Sequence, residues 1–360
     1  MPCNVAFYIH HHGAGHLMRS IAIAEQLTDC SVTFLGSHLR KHQSLIPSGI
    51  QWIDLPMDTA QTKDIHYQPG PEVGCLHYAP LAVSGLSKRM AMLTQFLVSS
   101  EPLILVVDVS VEVTLLARLL GIPTLVIRQH GYRTDLAHRT AYESAQLLIA
   151  PYPDWMSDPQ ETWMEKKTFY SGGFSRFTSL AKPLTKEVIP RQVAVLLGQG
   201  GNSFNESILL KLADQCPEYQ FHVLGILPYE EATDKQNLVF HGRIDHPLPV
   251  LMRSEIVIGN AGHNTVMEMA DLEKKFICIA EERPFAEQQH KASFLRAKSL
   301  AITLSAADLP TTHWPTVLAE AQELNPVNWQ GTINPGALTD LALAIKEQWN
   351  LMYAYDFKAS

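Results

Sequence analysis

The sequence predicts an α/β protein made of two Rossmann-like, doubly wound domains that face each other across a cleft. Three observations carry this. At 360 residues the chain has the length of two ordinary domains. Short continuous apolar runs, the pattern of strands buried on both faces, alternate with longer amphipathic stretches. Two of those runs, near residues 5 and 192, each lead through a Gly-rich turn into a helix. The same plan therefore opens both halves, although no internal sequence repeat is evident.

The totals narrow the class. Hydrophobic residues make up 46% of the chain, enough for each half to bury a core, and the net charge is −8 with histidines neutral. A general nucleic-acid binder would show a basic excess, so no nucleic-acid partner is expected. The five cysteines stand at 3, 30, 75, 216 and 278 with no Cys-x-x-Cys pair, which fits reduced thiols in a cytoplasmic protein. The first residues lack a basic region followed by an apolar core, so no signal peptide is expected. No apolar run is long enough to span a bilayer, which leaves only peripheral contact with the inner membrane face open.

In chain order, Val5 to Ile9 reads as a buried strand, His10 to His16 as a Gly-rich turn, and residues 17–27 as a helix. The turn is no dinucleotide fingerprint, because Met18 stands where a third glycine belongs and no acid ends the next strand. It is no P-loop either, since no Gly-Lys-Ser/Thr comes after it. His12 and His16 lie four apart, but no HExxH pattern and no completing Cys or carboxylate supports a metal, and none is expected. A strand at 50–55, a polar loop at 58–78 and a helix at 82–100 come next. Met90, Met92, Leu93, Phe96 and Leu97 of that helix read as core.

Leu103 to Asp108 is a strand ending in an acid. A helix at 111–120 closes on Gly121 and Pro123, and Thr124 to Ile127 is the next strand. Ligands in open α/β sheets bind at the carboxyl ends of strands, so His16, Asp108 and His130 are expected to point into one crevice. Asp108 also reads as a cap for the helix after it. Arg133, Asp135 and His138 form either a polar network or a solvated turn. Leu147 to Ala150 is a strand, and Ser175 to Pro190 reads as a linker.

The second half opens with a strand at 192–197, the turn Gly198-Gln199-Gly200-Gly201-Asn202-Ser203, and a helix at 206–216. Strands at 221–225 and near 238 come after it. Glu255 to Ile258 is then a buried strand, and a helix runs from Thr265 to Leu272, so Gly262 sits at a strand-to-helix turn. Such a turn points backbone N–H groups and a helix dipole at whatever lies above, most often phosphate. Glu268 lies one turn in, placed to accept from a ribose. After the strand at 276–279 come Glu287-Gln288-Gln289, side chains suited to sugar hydroxyls. Residues 312–334 show no clear period, and 336–353 reads as a last amphipathic helix.

This set of residues resembles the donor half of GT-B glycosyltransferases of family 28, those similar to the bacterial peptidoglycan UDP-N-acetylglucosamine transferase. The match is position by position at Gly262, Thr265, Glu268, Gln288 and Gln289. The resemblance implies that Gly200, Gly201 and Asn202 face the donor phosphates with Gly262 and His263. It implies that Ile244 sets its backbone against the base, that Glu268 holds the ribose, and that the Gln pair holds the sugar. By the same resemblance, Gly13, Gly15 and Arg19 form the acceptor and phosphate loop of the first domain, and His16, Asp108 or His130 supplies the base. The domains become 1–175, a linker at 176–190, a donor domain at 191–335, and a helix within 336–360 packing back on the first domain.

The expected function is inverting, metal-independent transfer of a sugar, an N-acetylhexosamine by resemblance, from a UDP-sugar to an unidentified hydroxyl acceptor. No cofactor is implied. Two alternatives stand beside it. One is a UDP-N-acetylglucosamine 2-epimerase-like isomerase, although such enzymes carry Asp-Ser-Gly-Gly where this chain has Asn260-Ala261-Gly262-His263. The other is a non-catalytic nucleotide-sugar-binding protein.

Overall fold

A computed structural model describes residues 3–11, 14–159, 161–180, 187–198, 203–226, 235–244 and 246–354. The chain divides into two units. The first comprises residues 1–129, 133–171 and 336–360, and the second 130–132 and 172–335.

In the first unit, β1 (Cys3–Ile9), α1 (Ala14–Ala24), β2 (Cys30–Gly36) and β3 (Gln51–Asp54) come first, succeeded by α2 (Ser84–Ser99). Then come β4 (Ile104–Asp108), α3 (Val111–Leu119), β5 (Thr124–Ile127), α4 (Leu136–Ser144), β6 (Leu147–Ala150), α5 (Thr162–Lys167) and β7 (Thr168–Tyr170). The seven strands pair in parallel in the order β3-β2-β1-β4-β5-β6-β7. Every residue of β4 is buried, as a strand covered on both faces requires. Leu35, Leu93, Leu97, Leu105, Val107, Val126 and Leu148 share one core cluster. Within α2, Leu93 and Leu97 are fully buried, whereas Met92, read from sequence as core, is exposed.

In the second unit, β8 (Ile189–Leu196), α6 (Glu206–Gln215), β9 (Gln220–Leu224), β10 (Leu238–Phe240), α7 (Leu248–Arg253) and β11 (Ser254–Asn260) lead on to α8 (His263–Asp271). β12 (Lys275–Ala280), α9 (Glu287–Ala297), β13 (Ala301–Ser305) and α10 (Trp314–Gln322) complete it. Its six strands are parallel in the order β10-β9-β8-β11-β12-β13. Val193, Val195, Leu212, Phe221, Ile258, Ile277 and Trp314 form its core. Trp314 and Trp329, from the stretch without a clear period, are both buried, and the indole N–H of Trp329 donates to the Lys274 carbonyl at 2.9 Å.

α11 (Ala337–Tyr353) belongs to the first unit and packs on α1. Trp349 is buried there, Lys346 pairs with Asp29, and the Tyr353 hydroxyl donates to the Leu103 carbonyl at 2.9 Å.

In each sheet the strand order reverses once, between β1 and β4 and between β8 and β11. A doubly wound sheet opens its ligand crevice at that point, beyond the carboxyl ends of the strands. Among the described residues no helix is long and apolar enough to cross a membrane.

Candidate active site

The reversal in the first sheet brings together the turn after β1 and the last residue of β4. His16, in the first turns of α1, places Nδ1 2.8 Å from Asp108 Oδ2. Arg19, one helical turn on, donates to Asp108 Oδ1 at 2.5 Å, and Gln129 Nε2 donates to the same oxygen at 3.3 Å. Arg19 and Asp108 are buried. Burial opposes charge on Asp108, but Arg19 and His16 outweigh it and hold the carboxyl well below the usual carboxylate range. An ionised carboxylate only accepts, so Nδ1 of His16 carries a proton, which leaves Nε2 as the nitrogen that can carry a lone pair. Arg19 lies 3.2 Å from Nδ1 as a neighbouring donor.

Asp108 does not cap α3. Ser110 does, its Oγ accepting from Val113 N–H at 3.2 Å. Between them Val109 has φ 59°, a left-handed conformation that a β-branched residue rarely adopts. Of the other loop residues, Gly15 lies in the first turn of α1, and Gly13 falls outside the described residues. His130 belongs to the second unit, buried with its ring 6.3 Å from those of His290 and Phe294. The His16–Asp108 pair belongs to the first.

The reversal in the second sheet is built around Asn260. Its Oδ1 accepts from Gly262 N–H at 3.0 Å and from the Thr265 hydroxyl at 3.3 Å. A Cβ on Gly198 would stand 2.5 Å from Asn260 Nδ2, and one on Gly262 2.8 Å from Oδ1. The two glycines thus let the turns after β8 and β11 close on one amide. Gly262 is the N-cap of α8 and His263 its first residue, so the positive end of that helix dipole lies here.

Glu268 is nearly buried and paired with Arg176, through Nε to Oε1 at 2.9 Å and Nη2 to Oε2 at 3.3 Å. Burial raises the Glu268 pKa, and Arg176 works against that rise. Ser175 and Thr178 also donate to Asp271 of α8, at 2.6 and 2.8 Å. The start of the stretch read as linker is therefore bound to α8.

Helix α9 starts at Glu287, so Gln288 and Gln289 lie in its first turn. Phe285 and Ala286 before it both have positive φ, 61° and 52°, a reversal with no glycine to mark it. Gln288 is buried, its Oε1 accepting from Glu281 N–H at 3.1 Å. Gln289 Oε1 is buried without a hydrogen-bond partner. Ile244 is half-buried, and Gly200, Gly201 and Asn202 lie outside the described residues.

Sequence reading missed Arg176 and Glu281. The Glu281 carboxylate accepts from both the backbone N–H and the hydroxyl of Ser203, at 2.7 and 2.6 Å. An acid just past a strand reads as solvated, and no local pattern marks it otherwise.

His77, Asp135 and His138 of the first unit are the described residues that could hold a cation, their ligand atoms lying within 4.8 Å of one another. Arg133 Nη1 lies 2.9 Å from His138 Nε2, and an arginine only donates. Nε2 therefore accepts, and Nδ1 carries its proton toward Asp135 Oδ2 at 2.6 Å. A cation would have to displace that proton and face Arg133. This donor set suits a hydrogen-bonded network better than a metal centre.

The fold is shared with solved glycosyltransferases. A MurG from Acinetobacter baumannii is 18% identical, with 96% of this chain and 100% of that one aligned at a TM-score of 0.65. A UDP-glucosyltransferase from Polygonum tinctorium is 14% identical over 97% and 99%, at 0.63. The spinosyn rhamnosyltransferase SpnG, solved with thymidine diphosphate, is 16% identical over 96% of each chain, at 0.57. No curated protein sequence matches significantly. With its two reversing parallel sheets, the protein is a glycosyltransferase of the GT-B class. More particularly, residues 193–328 match the glycosyltransferase family 28 C-terminal domain.

Proposed function

We propose that the enzyme transfers a sugar, an N-acetylhexosamine, from its UDP-linked donor to a hydroxyl acceptor, with inversion and without a metal ion. The family 28 domain supports the nucleotide-sugar donor. One observation carries the chemistry: ionised Asp108 holds Nδ1 of His16 at 2.8 Å, so Nε2 is the ring nitrogen left to act as base. The acceptor hydroxyl gives its proton to Nε2, and its oxygen attacks the anomeric carbon from the face opposite the leaving group. The bond to the diphosphate oxygen breaks, and its electron pair stays with the phosphate. The positive end of α8 and the Gly-rich turn before α6 stabilise that charge. Asp108 keeps the imidazole in the right tautomer and stabilises the imidazolium that forms. Glu268 accepts from the ribose hydroxyls, with Arg176 opposing the rise that burial imposes on its pKa, and Gln289 offers its unpaired oxygen to a sugar hydroxyl.

The likeness to SpnG leaves thymidine diphosphate as the competing nucleotide, so both enter the test. Thermal stabilisation by UDP, UDP-N-acetylglucosamine, UDP-glucose and thymidine diphosphate is measured with and without chelator, alongside Glu268→Gln. Binding to the folded state alone raises its stability with occupancy. Stabilisation by the UDP compounds in chelator, lost in Glu268→Gln, is the expected result. A response only to thymidine diphosphate, or only with added metal, would replace the donor or the metal-free mechanism.

A further inference from the structure

Glu281 comes directly after β12, and Ser203 lies in the Gly-rich stretch between β8 and α6. Strand β11 lies between β8 and β12 in the sheet. The carboxylate therefore joins segments on either side of the β11–α8 turn, binding Ser203 through both N–H and hydroxyl. Its own backbone N–H is held by Gln288, next to the unpaired Gln289 oxygen. Glu281 and Gln288 are both buried. Ser203, Glu281 and Gln288 thus form one connected path from the turn expected to meet phosphate to the side chains expected to meet sugar.

We propose that Glu281 is a positioning residue that ties the turn after β8 to the Gln288–Gln289 segment, and so sets the enzyme's grip on the diphosphate and sugar of the donor. This rests on the reading that the second unit binds a nucleotide sugar. Both Ser203 donors are spent on Glu281, so Ser203 acts on the ligand only through the main chain it anchors. The bond pattern needs two acceptors, or one acceptor and one donor turned to the hydroxyl. Glutamine satisfies the second form, and alanine satisfies neither.

The experiment is titration of UDP, UMP and UDP-N-acetylglucosamine into wild type, Glu281→Ala, Glu281→Gln, Ser203→Ala and the double alanine variant, with thymidine diphosphate and monophosphate if those are what bind. Glu281→Ala should weaken the diphosphate about tenfold, as loss of hydrogen bonds to a charged group does. It should weaken the monophosphate less than about threefold, and Glu281→Gln should restore most of the loss. The double variant should be no worse than Glu281→Ala alone, since both substitutions remove one contact. Equal losses for mono- and diphosphate would reduce Glu281 to a fold-stabilising residue and overturn the proposal. Tighter diphosphate binding in Glu281→Ala would also overturn it, making the carboxylate a competitor for the site. Ser203→Ala carries the same comparison if Glu281→Ala does not fold. Wild type binding no nucleoside diphosphate would sink the donor reading instead. Amide exchange at Ser203 then judges the tie alone, and exchange unchanged in Glu281→Ala would overturn it.

Discussion

His16 depends on Asp108 for the side of its ring that carries a proton. Asp108→Asn leaves the bulk but offers an N–H or a weaker acceptor to Nδ1, so the lone pair is no longer fixed on Nε2. Transfer should fall by about 10²- to 10⁴-fold in kcat, the usual worth of a placed general base, with donor affinity unchanged. Single-turnover kinetics beside a binding titration check this. The same carboxyl links folding to acid. Its folded pKa lies below the unfolded value of about 3.9, so the stability it contributes is whole above that pH and drains away as pH falls further. His138 behaves alike in another window. Burial, with Arg133 and His77 beside it, lowers its pKa from 6.5 to about 4, against the pull of Asp135. Its contribution is complete above pH 6.5 and is lost as pH falls toward 4. Melting temperatures across that window should fall less steeply in His138→Gln than in wild type.

Helices approach loops closely at a few points that tolerate no side chain. A Cβ on Gly85 of α2 would stand 2.0 Å from the Met57 carbonyl oxygen, so Gly85→Ala must push helix and loop apart. Overpacking of this kind costs about 1–3 kcal/mol, to be read from denaturant midpoints. Most strands were legible in the sequence because burial on both faces leaves a continuous apolar run. The β11–α8 turn was legible because Gly262, Thr265 and Glu268 stand at fixed short spacings. The Arg176–Glu268 pair, the Glu281 bracket and the tie of His77 to Asp135 were not. Their partners lie 58 to 92 positions apart, and contacts made by folding leave no periodicity. The entry to α9 has no sequence signal, because its left-handed turn is made by Phe285 and Ala286, neither a turn residue.

Across the whole chain, the second unit is inserted into the first, between β7 and α11. Trp349 of α11 is buried in the first unit, and Trp349→Ala should cost that unit about 3–5 kcal/mol. Nucleotide affinity measured below the melting transition should persist, because Glu268 and Gln289 belong to the other unit. Connectivity also orders the protein's assembly in time. Synthesis runs toward the C-terminus, and the second unit is fully made once residue 335 is added. The first unit, though begun earlier, still lacks the helix that covers α1. On a translating ribosome, the younger half is therefore the first to be complete. The older one waits with the flank of α1 uncovered until α11 is made, and uncovered apolar faces of that kind are what chaperones exist to shield.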